Sequence, residues 1–165
     1  MRVRVSLSVM LVVAAAYAVA GGAAVTAQAP ALADGDRAEI QKLSDRLGQL
    51  LNACAADEYA AMFTPEGYFE STFRGRVQGR EKLVALVRSE RHCAPGAAPR
   101  TAGAALPLRI QPSAGGAVAT AALAGNAGGI EEHYVKAAQG WRLVSRTVFT
   151  APELAARSAA GGSAK

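Results

Sequence analysis

The 165-residue chain is 51% hydrophobic and 19% charged, long and apolar enough for one domain with its own core, which excludes an intrinsically disordered protein. Its formal charge is +5 at pH 7, but the basic residues are scattered, with no Lys/Arg block and no basic stripe interleaved with aromatics. That excludes a nucleic-acid surface, so no nucleic-acid partner is expected.

Arg2 and Arg4 precede an uncharged run over residues 5–25, mostly Ala, Val and Leu, which is the pattern of a secretion signal. Small residues at −3 and −1 offer two cuts, after Val25-Thr26-Ala27 and after Ala31-Leu32-Ala33; the second is expected, so residues 1–33 read as signal peptide. The run is also nearly long enough to span a bilayer, so an uncleaved anchor is the competing reading. Either way the domain is expected outside the cytoplasm, secreted or periplasmic, and the mature form meets no membrane unless the signal stays attached. Loss of Arg2 and Arg4, with no acid lost, lowers the net charge from +5 to +3.

Over residues 36–54, Ile40, Leu43, Leu47, Leu50, Leu51 and Cys54 recur every three or four positions, the period of an amphipathic helix that Asp34 or Asp36 can cap. Asp57 is expected to cap a second short helix over 58–62, ended by a chain reversal at Pro65-Gly67. A strand over 68–76 follows, broken by Gly79. Residues 80–91 return to helical spacing through Leu83, Val84, Leu86 and Val87. Residues 94–105, rich in Pro, Gly and Ala, read as a loop. Strands are predicted over 106–111, 117–123, 130–138 and 141–150, divided by Gly-rich turns as in a meander of hairpins. Residues 151–165 read as a flexible tail.

Cys54 and Cys93 are the only cysteines, and in an exported chain they are expected to form a disulfide. Closing that loop would stabilise the fold by about 4 kcal/mol in the chain-entropy model. The competing reading is Cys54 as a small core residue and Cys93 as a free thiol.

Helices followed by strands give an α+β class, with N-terminal helices packed on a curved antiparallel sheet. Three stretches in order, DRAEIQKLSDRLGQLLNACAADEYAAMFTPEGYF, VQGREKLVALV and GGIEEHYVKAAQGWRLVSRTVF, resemble the SnoaL-like branch of the nuclear transport factor 2-like superfamily, over about residues 34–150. The resemblance implies a cone-shaped half-barrel with an apolar pocket. The superfamily uses this fold for polyketide cyclases, ketosteroid isomerases, scytalone dehydratase and epoxide hydrolases, and for non-catalytic ligand-binding or dimerising modules. By the same resemblance Asp57 matches a helix-breaking aspartate, Glu66 the acid of a turn that usually reads FTPDG, and Gly79-Arg80 the opening of the third helix. Trp141 and Arg146 match the last strand, and Glu132 the acid on the strand before it. Two catalytic positions of relatives are vacant: residues 99–103 hold no histidine, and Cys54 stands where dehydratase-like members carry an aspartate.

What remains for chemistry lies on the strand over 130–138. Alternation puts Glu131 and His133 on one face and Glu132, Tyr134 and Lys136 on the other. Lys136 should reach water, so His133 is expected to face inward as a general base, with Glu131 orienting it and Tyr134 assisting. The competing reading is a histidine at a solvated rim, and the family comparison partly favours the opposite face. Glu132 and Arg146 are expected to form a structural ion pair across neighbouring strands. Glu66 reads as a turn acid, Glu70 as solvated opposite a buried Phe69, Trp141 as core, and His92 as a cation at the C-terminus of the third helix.

No GxGxxG, P-loop, HExxH or Gly-x-Ser-x-Gly element occurs, and two histidines 41 residues apart make no convincing metal site, so neither cofactor nor metal is expected. Two functions stand. The vacant positions favour an exported module that binds a small hydrophobic molecule or forms a homodimer. The alternative is a cofactor-independent lyase or isomerase with His133 as base.

Overall fold

The structure, a computed structural model, describes residues 31–97, 100 and 105–161. Residues 1–30 of the expected signal lie outside the described residues, as do most of the 99–103 stretch and the last four positions.

The first helix, α1, runs Asp34–Asn52 and buries Ile40, Ser44, Leu47 and Leu50, the stripe its apolar spacing dictates. Neither Asp34 nor Asp36 caps it: the N-cap is Ala33 and both acids lie in the first turn, where they favour the helix dipole. Cys54 then turns the chain with φ +56°, and α2 follows at Ala56–Ala61. Asp57 sits in the first turn of α2 rather than capping it, and its carboxylate takes a 3.1 Å bond from Arg88.

FTPEGYF does not reverse the chain. It belongs to one strand, β1, Phe63–Ser71, whose register against the last strand shifts between Phe63 and Tyr68. The extra residues bulge outward with Pro65 and Glu66 exposed. Gly67 is buried in the bulge, where a Cβ would come within 2.8 Å of the Phe63 Cβ and 2.9 Å of the Thr64 carbonyl oxygen. The reversal comes later, at residues 72–74, so the predicted strand over 68–76 is a hairpin of β1 with β2, Gly75–Gln78.

Helix α3, Arg80–Arg88, starts at Gly79 (φ +90°) and is followed by a 3-10 turn, Arg91–Cys93. His92 therefore does not end α3. Its Nε2–H donates to the Leu51 carbonyl at 2.9 Å, satisfying an acceptor in the last turn of α1. Cys54 and Cys93 are bonded, with their Cα atoms 5.5 Å apart, and tie the α1–α2 junction to this turn.

Four strands complete the sheet: β3 Arg109–Ser113, β4 Gly116–Ala122, β5 Gly129–Ala137 and β6 Gly140–Phe149. They form the expected antiparallel meander, but β1 pairs with β6 in parallel, so the sheet is mixed, in the order β2-β1-β6-β5-β4-β3. It is curved and unclosed, with free edges at β2 and β3. Helices α1, α2 and α3 cover one face, where Ile40, Leu47, Tyr59, Leu83, Val87 and Leu143 form one core.

The expected tail is helical at its start. Helix α4, Ala151–Gly161, begins with the glutamate half of a capping box: Glu153 Oε2 accepts from the Thr150 backbone N–H at 2.8 Å and also from the Thr150 hydroxyl at 2.8 Å. Both Glu153 oxygens also accept from the Thr72 hydroxyl, and Arg157 stacks 3.9 Å over the Phe149 ring, so α4 is anchored to the β1–β2 turn and to β6.

Candidate functional site

Alternation on β5 is as expected, but its direction is inverted. Glu132 and Tyr134 face the helices and are buried, while His133, with 44% of its side chain exposed, faces away with Glu131. Lys136 misleads because it shares the inward face at the strand's end, where the sheet outruns its cover. There its ammonium meets Asp36 of α1 at 2.7 Å and lies 5.7 Å from the Trp141 ring. Trp141 is core, 5% exposed, and donates its indole N–H to the same Asp36 oxygen at 2.9 Å.

On the inward face Glu132 is wholly buried and uses both carboxylate oxygens. Oε1 accepts from Arg146 Nη1 at 2.5 Å and Oε2 from the Tyr134 hydroxyl at 2.8 Å. Burial, followed by the Glu132 charge and the bond to it, pushes Tyr134 far above the ordinary phenol range, with Arg146 and Ser44 opposing. Tyr134 is thus a neutral donor locked onto Glu132, not an acid poised for release. Tyr59 behaves alike, pushed up to about 12 mainly by burial.

Above this network a cleft of about 710 Å³ opens between α1 and the sheet, walled by Ser44, Gly48 and Leu51 of the helix, Leu106, Leu123 and Arg146. The middle of α1 leaves room for it, since a Cβ at Gly48 would meet nothing within 4 Å. The far wall is pinned by Gln41, whose amide donates to the Leu106 carbonyl at 2.9 Å and accepts from the Leu108 N–H at 3.1 Å. Ser44 and Gly48 were not singled out from the sequence. The available signal was one small polar residue inside the buried stripe of α1 and a glycine four positions on, where a helix gains nothing from glycine.

The other face of the sheet carries a shallower groove of about 420 Å³. Here His133 Nε2 lies 3.0 Å from Glu131 Oε1, which also receives Arg157 Nη1 at 3.4 Å. The three expected catalytic residues therefore do not converge: Glu131 and His133 meet on the outer face, and Tyr134 lies across the sheet with Glu132. Glu70 is on this outer face too, paired with Arg76 at 2.9 Å, while Phe69 packs against the core. Glu66 is on the exposed bulge, in neither recess. Cys54, Cys93 and His92 form the one cysteine–histidine cluster among the described residues. With both sulfurs spent on the disulfide, that cluster offers no thiolate to a metal.

Helices α1–α3 laid on one face of a curved, unclosed mixed sheet, with a cleft at the helix–sheet junction, define an α+β cone fold. Residues 35–147 match the SnoaL-like domain family, and the chain belongs to it, within the nuclear transport factor 2-like superfamily. Among curated proteins none matches the sequence. Solved structures with the same fold include an NTF2-like protein with a cystatin-like fold from Novosphingobium aromaticivorans, at 21% identity over 76% of this chain and 88% of that one (TM-score 0.59). Aln2 from a Streptomyces species is similar at 18% identity over 79% and 99% (TM-score 0.55). A Catenulispora acidiphila protein in complex with S-DNPA is similar at 21% identity over 73% and 96% (TM-score 0.51).

Proposed function

We propose that this protein is an exported module that binds a small, largely apolar molecule in the cleft beneath α1. The observation that carries this reading is the cleft's construction: a recess of about 710 Å³ with apolar side chains in its wall and Arg146 as a fixed polar group. Size and lining of this kind suit a drug-sized ligand oriented by few polar contacts. Glu132 holds one guanidinium nitrogen of Arg146, and among the described residues no other side chain takes its remaining donors, which are left for a ligand oxygen. The C. acidiphila relative, whose complex holds S-DNPA, supports a small organic ligand by analogy of fold. Export rests on the leader-like run over residues 5–25, and a homodimer is the assembly the family suggests. Fluorescence titration with the neutral apolar probe N-phenyl-1-naphthylamine tests the cleft. Wild type should bind it and Gly48→Leu, which fills the cleft, should not; binding that survives in the variant overturns the reading.

A second reading keeps one observation, the 3.0 Å His133–Glu131 contact, which could fix an imidazole as base of a cofactor-independent lyase or isomerase acting in the outer groove. NMR titration of His92 and His133 with and without apolar ligands separates the two readings. A His133 resonance and pKa that no ligand moves, while the cleft fills, sinks the enzyme.

A further inference from the structure

The cleft adjoins a smaller recess of about 270 Å³ walled by Arg74, Glu90, Arg91, His92 and Arg100. Two links join them. Arg100 contributes to both walls, and His92, in the wall of the recess, donates to the carbonyl of Leu51, which lines the cleft. The charge in the recess is lopsided. The only acid among the described residues of its wall, Glu90, is committed to Arg74 at 2.9 Å, and Arg74 is held further by the Ser89 hydroxyl at 2.9 Å. Arg91 and Arg100 have no ion pair or side-chain hydrogen bond among the described residues. The three arginines come from separate stretches, the β1–β2 turn, the 3-10 turn and the loop before β3, so the fold gathers cations that the sequence scatters. Like charges brought together oppose folding unless something answers them.

Resting on the reading of the cleft as a ligand site, we propose that the ligand is an amphipathic anion. Its apolar body lies in the cleft, and its carboxylate, sulfonate or phosphate monoester meets Arg100 and Arg91, with Arg74 locked behind them. Guanidinium groups suit this because their planar fork matches oxyanion geometry and their charge persists at any working pH. The disulfide and the His92 bond fix the 3-10 turn against the end of α1, so Arg91 keeps its distance from the cleft whether or not it is filled.

The test is a pair of fluorescent probes that differ in one charged group: 8-anilinonaphthalene-1-sulfonate and uncharged N-phenyl-1-naphthylamine. On wild-type protein the sulfonate should bind roughly tenfold more tightly, the effect of one charge-assisted hydrogen bond. The gap should shrink with added salt. In Arg91→Ala/Arg100→Ala, whose native fold is checked by near-UV circular dichroism, the gap should close. Equal affinities in wild type, or a gap that persists in the double variant, overturn the anionic ligand and leave the cleft reading standing. If neither probe binds, or if Gly48→Leu changes neither titration, the cleft reading fails and this proposal with it.

Discussion

Glu132 and Arg146 stand directly opposite each other on β5 and β6, and the wholly buried carboxylate of Glu132 is neutralised by a guanidinium only 13% exposed. Removing one partner strands the other's charge in the core. Arg146→Met should therefore destabilise the fold by about 3–5 kcal/mol, while Glu132→Met, Tyr134→Phe and Arg146→Met combined should recover most of that loss. Urea denaturation of wild type, the single variant and the triple variant measures both, and a triple variant no better than the single one would show that the pair is worth more than its burial costs.

Gly48 sits inside α1 over open space. Gly48→Ala should raise stability by about 0.5–1 kcal/mol, the helix propensity that glycine forgoes, without closing the cleft. A shift in the denaturation midpoint together with unaltered probe binding is the expected pair of results.

Below neutral pH, Asp36 should report on the clasp between α1 and the β5–β6 hairpin. Its bonds to Lys136 and then to Trp141 hold its pKa below the ordinary 3.8, so its contribution is complete above that value and is lost as pH falls through the depressed one. Glu153 is lowered from 4.5 by the Thr150 backbone N–H and then by Thr72 and Thr150, and it follows the same sign at the foot of α4. Wild type should lose stability as pH drops below about 4.5, and Asp36→Asn and Glu153→Gln should each flatten part of that limb in urea midpoints measured against pH.

The disulfide and the backbone at Cys54 can be separated. Replacing both cysteines should cost about 4 kcal/mol, as expected for freeing a loop of 39 residues. Because Cys54 has φ +56°, Cys54→Gly/Cys93→Ala should be more stable than Cys54→Ala/Cys93→Ala by about 1 kcal/mol. Equal denaturation midpoints for the two variants would mean that the left-handed turn carries no strain.

Leu32, just before α1, packs against the core, and the Ala33 carbonyl accepts the Arg37 N–H at 3.1 Å. A cut after Ala33 discards both contacts and a cut after Ala27 keeps them. If the proposed export removes the leader, the mature chain is expected to begin at Gln28, and intact-mass analysis of the mature protein reads this directly.

The sequence carried the helices and the meander well because one stripe of Ile40, Leu47 and Leu50, and short strands between glycines, have few other ways to bury themselves. It failed where tertiary context decides. Pro65-Gly67 is turn chemistry that the sheet absorbs as a bulge, while the true reversal at residues 72–74 has no proline. The inward face of β5 is misread when one exposed lysine at the strand's end outweighs the acid and tyrosine that bury together. Thr150 and Glu153 spell a capping box that is legible in the sequence, yet residues 151–165 read as a flexible tail. The cleft itself was not legible, since it is the space left by Ser44 and Gly48 on one element and Leu106 and Leu123 on others distant in sequence.

The parallel pairing of β1 with β6 sets the order in which this chain can be assembled. The last strand lies in the middle of the sheet, with β1 on one side and β5 on the other. Until residue 149 is available, β1 and β5 each expose an open edge, and the β1–β2 hairpin cannot join the meander. Productive folding thus waits for nearly the whole domain to be synthesised, with contacts spanning some eighty residues and rates to match. A nascent chain that stays open this long is a poor candidate for folding piecemeal on the ribosome.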